Sequence, residues 1–495
     1  MKQCTIEIID EVNCKLTGLD LQAKKFLVNK FKYEIPGARY QPAVRLGRWD
    51  GKIAFFQQSG STYINLLPDI IPYLYDQGYE LDVLDQRVSL NKFEFDKIHE
   101  NSFAHINWPP GHPAAGTPIL IRDYQVEIIN RFLNNTQCLS EIATGSGKTI
   151  MTAALSASVE KYGRSIVIVP NKTLVTQTES DYINVGLNVG VFFGDRKELD
   201  RTHTICTWQS LNNLLKLTQT GDTNFTINDF IDGVVCVIVD EAHAATATAL
   251  KTLLTTVFSN IPIRWGLTGT IPKEEYQAVS IKCSIGETIG KLAASELQEA
   301  GHLANCHVNI LQLMDHAEYS NYQSELKYLT SNPERIAYIA KIIDRIKDTG
   351  NTLILVDRIE TGKMLQIELS NLHSLLGDKP EVAFVSGVTK SKNRKAEYDE
   401  VATANNKILI ATYGVAAVGI NIPRIFNLVL FEPGKSFTRV IQSIGRGLRK
   451  AEDKVAVDIY DITSSCKFSK RHLTKRKTFY NEANYKFSIE KISWK

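Results

Sequence analysis

The chain has 495 residues, 43% of them hydrophobic and 22% charged, a globular mixture that excludes disordered and collagen-like chains and has room for about two to four domains. Net charge is only +3, but residues 466–495 hold nine Lys and Arg against two Glu, so the rest of the chain is slightly acidic. No apolar run approaches the roughly 18–20 residues that span a bilayer, and the N-terminal MKQCTIEIIDEVNCK is too acidic for a signal peptide. An intracellular protein with no membrane partner is the expectation. Eight scattered cysteines without a C-x-x-C pair suggest neither a zinc site nor a disulfide framework, and the histidines lack metal-ligand spacing.

In chain order, residues 1–106 read as a small α+β domain. Within it, RYQPAVRLGRWDGKIAFF carries Asp50-Gly51, a type I′ hairpin signal. Alternation puts Val44, Leu46, Ile53 and Phe55 on one strand face as core, and Arg45, Trp49, Lys52 and Phe56 on the other. A basic-aromatic face suits phosphate contact and base stacking, unless Trp49 packs against the rest of the protein. Residues 107–118, NWPPGHPAAGTP, read as an interdomain linker.

Beyond it, short runs apolar on both faces alternate with helical stretches: SIVIV, VVCVIV, TLILV, VAFV, KILIA and NLVLF. Such runs are parallel strands covered by helices. The length is too great for one sheet, so two α/β domains are expected, 119–295 and 296–465. The basic tail 466–495 favours a polyanion, although a solvated tail gives the same charge count.

Residues 142–149, IATGSGKT, lie between a strand-like and a helix-like segment, the context of a phosphate-binding loop. Thr144, Gly145, Ser146 and Gly147 would wrap phosphate with backbone N–H groups. Lys148 would reach the β- and γ-phosphates, and Thr149 would hold Mg²⁺. Ile142 stands where the pattern usually has its first Gly. VVCVIVDEAH ends a buried strand in two carboxylates, which would point into a ligand crevice. Asp240 would hold Mg²⁺, and Glu241 would orient and deprotonate the attacking water.

With these residues in place, the chain resembles the superfamily 2 helicases, which have two RecA-like domains. Arg122, Tyr124 and Gln125 in IRDYQ resemble the adenine-reading motif, and IATGSGKT resembles motif I. Pro170, Thr173 and Gln177 resemble motif Ia, and Thr207, Trp208 and Gln209 the strand-contacting motif after it. DEAH is motif II with His243 as its coupling residue, and LTGT falls where motif III links hydrolysis to movement. TLILVDRIETG resembles motif IV. ATYGVAAVGINIP, with Thr412 and Gly419, resembles motif V, although Asn421 stands where many members have Asp. QSIGRGLRK resembles motif VI, whose Gln442, Arg446 and Arg449 share a helix face at i, i+4 and i+7. An arginine there would neutralise charge on the transferred phosphoryl group.

The N-terminal segment around Arg45, Trp49 and Lys52 further resembles the phage UvsW-type DNA helicases. The resemblance implies two RecA-like parallel-sheet domains in tandem behind a small α+β domain. It implies ATP and Mg²⁺ as cofactors, with ATP held between the RecA-like domains. The implied activity is that of an ATP-dependent helicase or translocase working on forks, Holliday junctions and recombination intermediates. DNA, branched or forked, is the expected partner, with replication and recombination proteins as further candidates; a monomer is expected, in the host cytoplasm if phage-encoded. An RNA helicase, or a nucleotide-gated motor subunit without independent unwinding, are the alternatives.

Overall fold

The computed structural model describes residues 2–87, 92–110, 114–376, 382–389, 391–415, 422, 424–436, 440, 443–445, 448 and 453–494. Contacts divide the chain into two compact units, Met1–Ile142 with Gly147–Lys291, and Ala143–Ser146 with Leu292–Lys495.

The first unit begins with a four-stranded sheet in the order Ser61–Tyr63, Asn13–Thr17, Lys2–Ile8, Tyr79–Asp85. The outer strand Tyr79–Asp85 runs parallel to Lys2–Ile8, from Lys2 opposite Tyr79 to Ile8 opposite Asp85. The helix Leu21–Lys30 starts where the Asp20 carboxylate accepts from Ala23 N at 2.8 Å. Its Leu27 joins Leu16, Phe55, Phe56, Ile70 and Leu74 in a closed apolar core.

The hairpin expected around Asp50-Gly51 does not form. Pro42 opens a one-turn helix, Pro42–Arg45, because its missing N–H costs nothing at that position. Gly51, at φ +75°, turns the chain into Lys52–Ala54, which pairs instead with the distant Lys32–Glu34. The expected face alternation fails with it: Leu46 is exposed, whereas Phe55 and Phe56 are both buried.

The larger sheet of this unit has eight strands. Their order is Arg196–Lys197, Val189–Phe193, His203–Thr207, Arg164–Val169, Val234–Asp240, Ile263–Thr268, Gln137–Ile142, Glu287–Leu292. Pairing is parallel from Val189–Phe193 through Gln137–Ile142, with Arg196–Lys197 antiparallel at the edge. Parallel strands with helical crossovers bury both faces, and the central runs are apolar throughout.

The N-terminal region is joined to this sheet domain rather than separated from it. Cys283 lies in the N-terminal core, and Lys282 pairs with Asp69 at 2.7 Å. Glu11 N donates to Ser259 O, and Gln137 Nε2 donates to Glu11 O. Phe95 stacks at a tilt on Trp265, with ring centroids 6.0 Å apart. The segment read as a linker folds back on itself, with Asn107 bridged to Pro118 and Trp108 N bonded to Thr117 O. Ile119 and Ile121 behind it are buried.

The second unit holds a seven-stranded sheet in the order Val382–Val385, Ile408–Thr412, Thr352–Val356, Asn427–Phe431, Ala456–Ser464, Asn305–Leu313, Phe487–Ile492. Every neighbouring pair runs parallel. The residues read as a basic tail belong to this body: Lys467–Glu482 is a helix, and Phe487–Ile492 is the edge strand beside Asn305–Leu313. A freely solvated tail is not what forms. The stripe Ser469, Leu473, Arg476 and Tyr480 is buried, which no appendage would require.

Seven of the eight cysteines are buried, and all are free thiols. Among the described residues no helix is long and apolar enough to cross a membrane, and no group of three or more His, Cys, Asp and Glu gathers as a metal site.

Candidate nucleotide and nucleic-acid site

The strand Gln137–Ile142 delivers the chain into the phosphate-loop segment, and the helix Lys148–Val159 takes it away. Gly145 and Gly147 adopt φ +90° and +81°, a left-handed backbone that glycine takes without steric cost. Gly147 also meets a neighbour. A Cβ there would lie 2.5 Å from Gln125 Nε2, so the adenine-motif glutamine is seated against the loop. Gln125 is buried, and its Oε1 accepts from Arg122 N at 3.0 Å. Arg122 Nη1 in turn donates to Tyr124 Oη. The structure thus brings Arg122, Tyr124 and Gln125 to Gly147 of the phosphate loop. Thr149 follows Lys148 in the first turn of the helix, and Ser146 is buried.

Lys148 Nζ lies 3.3 Å from Glu241 Oε1 and 3.5 Å from Ile142 O. Glu241 stands one residue past the end of the strand Val234–Asp240, at φ +53°. A left-handed glutamate carries backbone strain, and such strain gathers at functional sites. The turn aims Glu241 at three partners. Its Oε1 faces Lys148, its Oε2 accepts from Gly269 N at 3.4 Å, and His243 Nδ1 is 3.4 Å from the same oxygen. His243 Nδ1 also sits 3.0 Å from Thr268 Oγ1, whose hydroxyl donates to Thr270 O. Motifs I, II and III are one hydrogen-bonded chain.

Electrostatics separates the two carboxylates. Burial and the adjacent Glu241 push Asp240 up, to about 6. Burial pushes Glu241 up as well, but the Lys148 charge and the His243 bond outweigh it and hold Glu241 below the usual carboxylate range. Asp240 Oδ1 accepts from Glu241 N at 3.0 Å. Asp240 and Thr149 offer hard oxygen donors, and Mg²⁺ typically takes only one or two protein oxygens beside phosphate and water. A cation next to Asp240 would offset both the burial and the Glu241 charge that raise it, so the donor set fits Mg²⁺.

The nucleic-acid motifs divide into two groups. Pro170 and Thr173 stand at the C-terminal end of Arg164–Val169, where the Asn171 side chain accepts from Leu174 N to start the helix Lys172–Asn184, which carries Gln177. Gln209 Nε2 reaches Pro170 O at 3.4 Å, which joins the two motifs at one sheet edge. Thr207 and Trp208 face inward. Thr207 is buried and caps its helix through Ser210 N, and Trp208 packs on the sheet core. Thr207 therefore positions Gln209 rather than offering its own hydroxyl. Both caps carry a sequence signal, Asn171 and Thr207 standing just before a helical period.

In the N-terminal region Arg45 and Lys52 are exposed, while Trp49 is half-buried with its Nε1 donating to Lys52 O at 2.9 Å. They do not share a strand face: Arg45 ends the one-turn helix, Trp49 lies in the turn after it, and Lys52 opens the strand Lys52–Ala54. In the second unit Thr412 ends its strand and is mostly buried. Gly419, Asn421, Gln442, Arg446 and Arg449 lie outside the described residues.

The chain matches two family models: type III restriction enzyme, res subunit, over residues 118–273, and helicase conserved C-terminal domain, over residues 334–451. The ATP-dependent DNA helicase uvsW of Enterobacteria phage T4 is 23% identical over 492 residues, covering 93% of this chain and 91% of that protein. The general transcription and DNA repair factor IIH helicase/translocase subunit XPB/SSL2 of Saccharomyces cerevisiae is 21% identical, covering 81% of this chain and 47% of that one. Among solved structures, an HsdR-subunit fragment of a type I restriction enzyme from Vibrio vulnificus superposes with a TM-score of 0.58 at 19% identity, covering 75% of this chain and 69% of that one, a likeness of fold. The first matched domain spans motifs I to III, the second takes up the sheet that follows, and the chain carrying both is a helicase enzyme of superfamily 2 that resembles the UvsW type.

Proposed function

We propose that this helicase is an ATP- and Mg²⁺-dependent DNA motor that remodels branched DNA. The observation that carries the reading is the bonded path from Lys148 through Glu241 and His243 to Thr268, which ties phosphate sensing to the motif that transmits movement. Lys148 neutralises phosphate charge. Glu241, kept ionised beside Lys148, accepts the proton of the attacking water. Asp240 and Thr149 would hold Mg²⁺, which would supply charge neutralisation to the bound phosphates. Arg446 and Arg449, with Gln442 of the same motif, take the remaining charge on the transferred group.

DNA as the substrate rests on the phage relative, named a DNA helicase and matched along nearly the whole chain. Gln209, Pro170 and Thr173 at one sheet edge, with Gln177 on the helix that follows and Thr412 in the second domain, would grip the backbone without reading sequence. Arg45, Trp49 and Lys52 give a second contact that would favour branches. Replication and recombination proteins are the fitting partners, and an intracellular site of action accompanies the reading.

The test is an ATPase and strand-displacement panel over single-stranded, duplex, forked and four-way DNA, with structured RNA beside it. Stimulation by forks and junctions above single strands is expected. Stimulation by RNA alone would make it an RNA helicase, and stimulation without displacement a nucleotide-gated motor subunit.

A further inference from the structure

The helix Lys467–Glu482 is anchored on one side and uncompensated on the other. Its buried stripe holds it rigidly: Arg476 forks onto Asp461 at 2.8 and 2.9 Å, and Tyr480 Oη donates to the same carboxylate at 2.7 Å. Two of its first-turn N–H groups are already satisfied, since Phe468 N and Ser469 N donate to the Glu325 carboxylate. The outer side carries Lys467, Lys470, Arg471 and Lys475, all exposed, and the helix has no acid before Glu482. A merely solvated face commonly spaces Glu and Lys four apart. Here, among the described residues, none of those four cations pairs with a carboxylate.

Aromatic rings lie beneath the charges. Lys467 Nζ is 5.7 Å and Arg471 Cζ 5.9 Å from the Phe468 ring centre. Tyr322 packs edgewise on both Phe468 and His472, at 6.2 and 5.1 Å. Burial, then the charges of Arg476, Lys435 and Lys475, push His472 down to about 4, so the ring is neutral at working pH in a strongly positive setting.

The position is also specific. The parallel registers align Val356 with Thr412, Leu355 with Leu430, Phe431 with Ile462 and Leu313 with Ser464, so these strands end along one edge. The helix begins just past Ser464, which puts its first turn at the edge where Thr412 stands.

We infer that Lys467, Lys470 and Arg471, around the Phe468 ring and the Tyr322 packed on it, form a further DNA-backbone contact of the second domain, continuous with the edge that carries Thr412. The inference rests on the proposed action on DNA and assigns part of its grip to a segment outside the helicase motifs. Cations held over rings suit a sugar-phosphate backbone with a base or sugar laid on the aromatic surface.

The experiment measures binding of the full chain to single-stranded DNA, and to RNA in parallel, from low to moderate salt. Lys467→Gln with Lys470→Gln and Arg471→Gln should weaken DNA binding about tenfold and flatten the slope of log affinity against log salt by about 2, since each lost phosphate contact removes roughly 0.7. The charge-retaining set Lys467→Arg, Lys470→Arg and Arg471→Lys should keep the wild-type slope. Thermal melting checks folding. If the triple variant does not fold, the single Lys470→Gln and Arg471→Gln changes are read, each flattening the slope by about 0.7. A wild-type slope in folded variants overturns the contact, as does a loss confined to RNA. Absence of DNA binding by the wild-type chain would instead overturn the DNA reading itself.

Discussion

Glu241 is held by contradictory demands. Its backbone is left-handed, its carboxylate is largely buried, and its charge is kept by Lys148 at 3.3 Å. Lys148→Ala should abolish ATP turnover, because it removes both the phosphate ligand and the cation that keeps Glu241 ionised. The side chain meets a polar crevice rather than core, so the melting temperature should barely move; near-normal turnover at saturating ATP would refute the phosphate-loop assignment. Glu241→Gln should leave nucleotide binding intact and slow hydrolysis about 10²–10⁴-fold, since the amide cannot accept the water proton. Single-turnover hydrolysis beside a nucleotide-binding titration separates the two steps. A different residue titrates with folding. His203 is fully buried between Ser165 and Glu160. Burial, only partly opposed by Glu160, lowers it below its ordinary 6.5, so the folded state favours the neutral ring. That contribution to stability is complete above pH 6.5 and is lost as pH falls through the depressed folded value. Urea midpoints should therefore drop between pH 7 and 5, and the gap between wild type and His203→Asn should narrow over the same range. A constant gap would mean that the ring is not buried neutral.

At the scale of elements, the helix Lys467–Glu482 depends on a charge inside the protein. Asp461 is wholly buried, and Arg476 and Tyr480 are its partners. Arg476→Met should destabilise the second domain by about 3–5 kcal/mol, because it strands a buried carboxylate. Pairing it with Asp461→Leu should recover much of that loss. Hydrogen exchange across residues 467–492 would report it locally; equal protection in the single and double variants would contradict the ion-pair account. This element also shows where sequence reading stops. Strands such as Val234–Asp240 were legible because burial on both faces demands unbroken apolar runs. Motifs I, II and III were legible because phosphate chemistry fixes residue types at fixed spacing. The terminal helix was not, since its buried stripe includes an arginine and a serine, which read as surface until Asp461 and Glu432 supply their partners. Around Asp50-Gly51 the turn was legible and its pairing was not. The strand after it joins Lys32–Glu34, some twenty residues upstream, which local alternation cannot reveal.

Over the whole chain, the boundary that composition suggests near residue 107 does not separate two bodies. Prolines and glycines mark an irregular backbone, but what decides independence is the apolar surface across the join. Here Phe95 lies on Trp265, Cys283 and Val279 complete the N-terminal core, and Asn13 Nδ2 donates to Thr255 O at 3.0 Å. The buried Arg264 guanidinium ties the same neighbourhood together, donating to the carbonyls of Leu254, Phe258 and Ser284. Deleting residues 1–106 would uncover Trp265 and the helix Glu275–Ser284 to water and leave Gln137 without its Glu11 partner. The truncated chain should melt well below the full protein, self-associate, and lose ATPase on single-stranded DNA along with activity on forks. The surface variant Trp49→Ala with Lys52→Ala touches none of these contacts. It should keep the melting temperature and single-strand ATPase of the wild type and lower activity on forks alone, since one stacking contact is worth roughly 1–3 kcal/mol. Melting curves and both activities on the same preparations separate a structural role from a recognition role. A truncated chain that stays monomeric and fully active on single strands would show that the interface is dispensable to the motor. A surface variant indistinguishable on forks would move branch recognition away from Trp49 and Lys52.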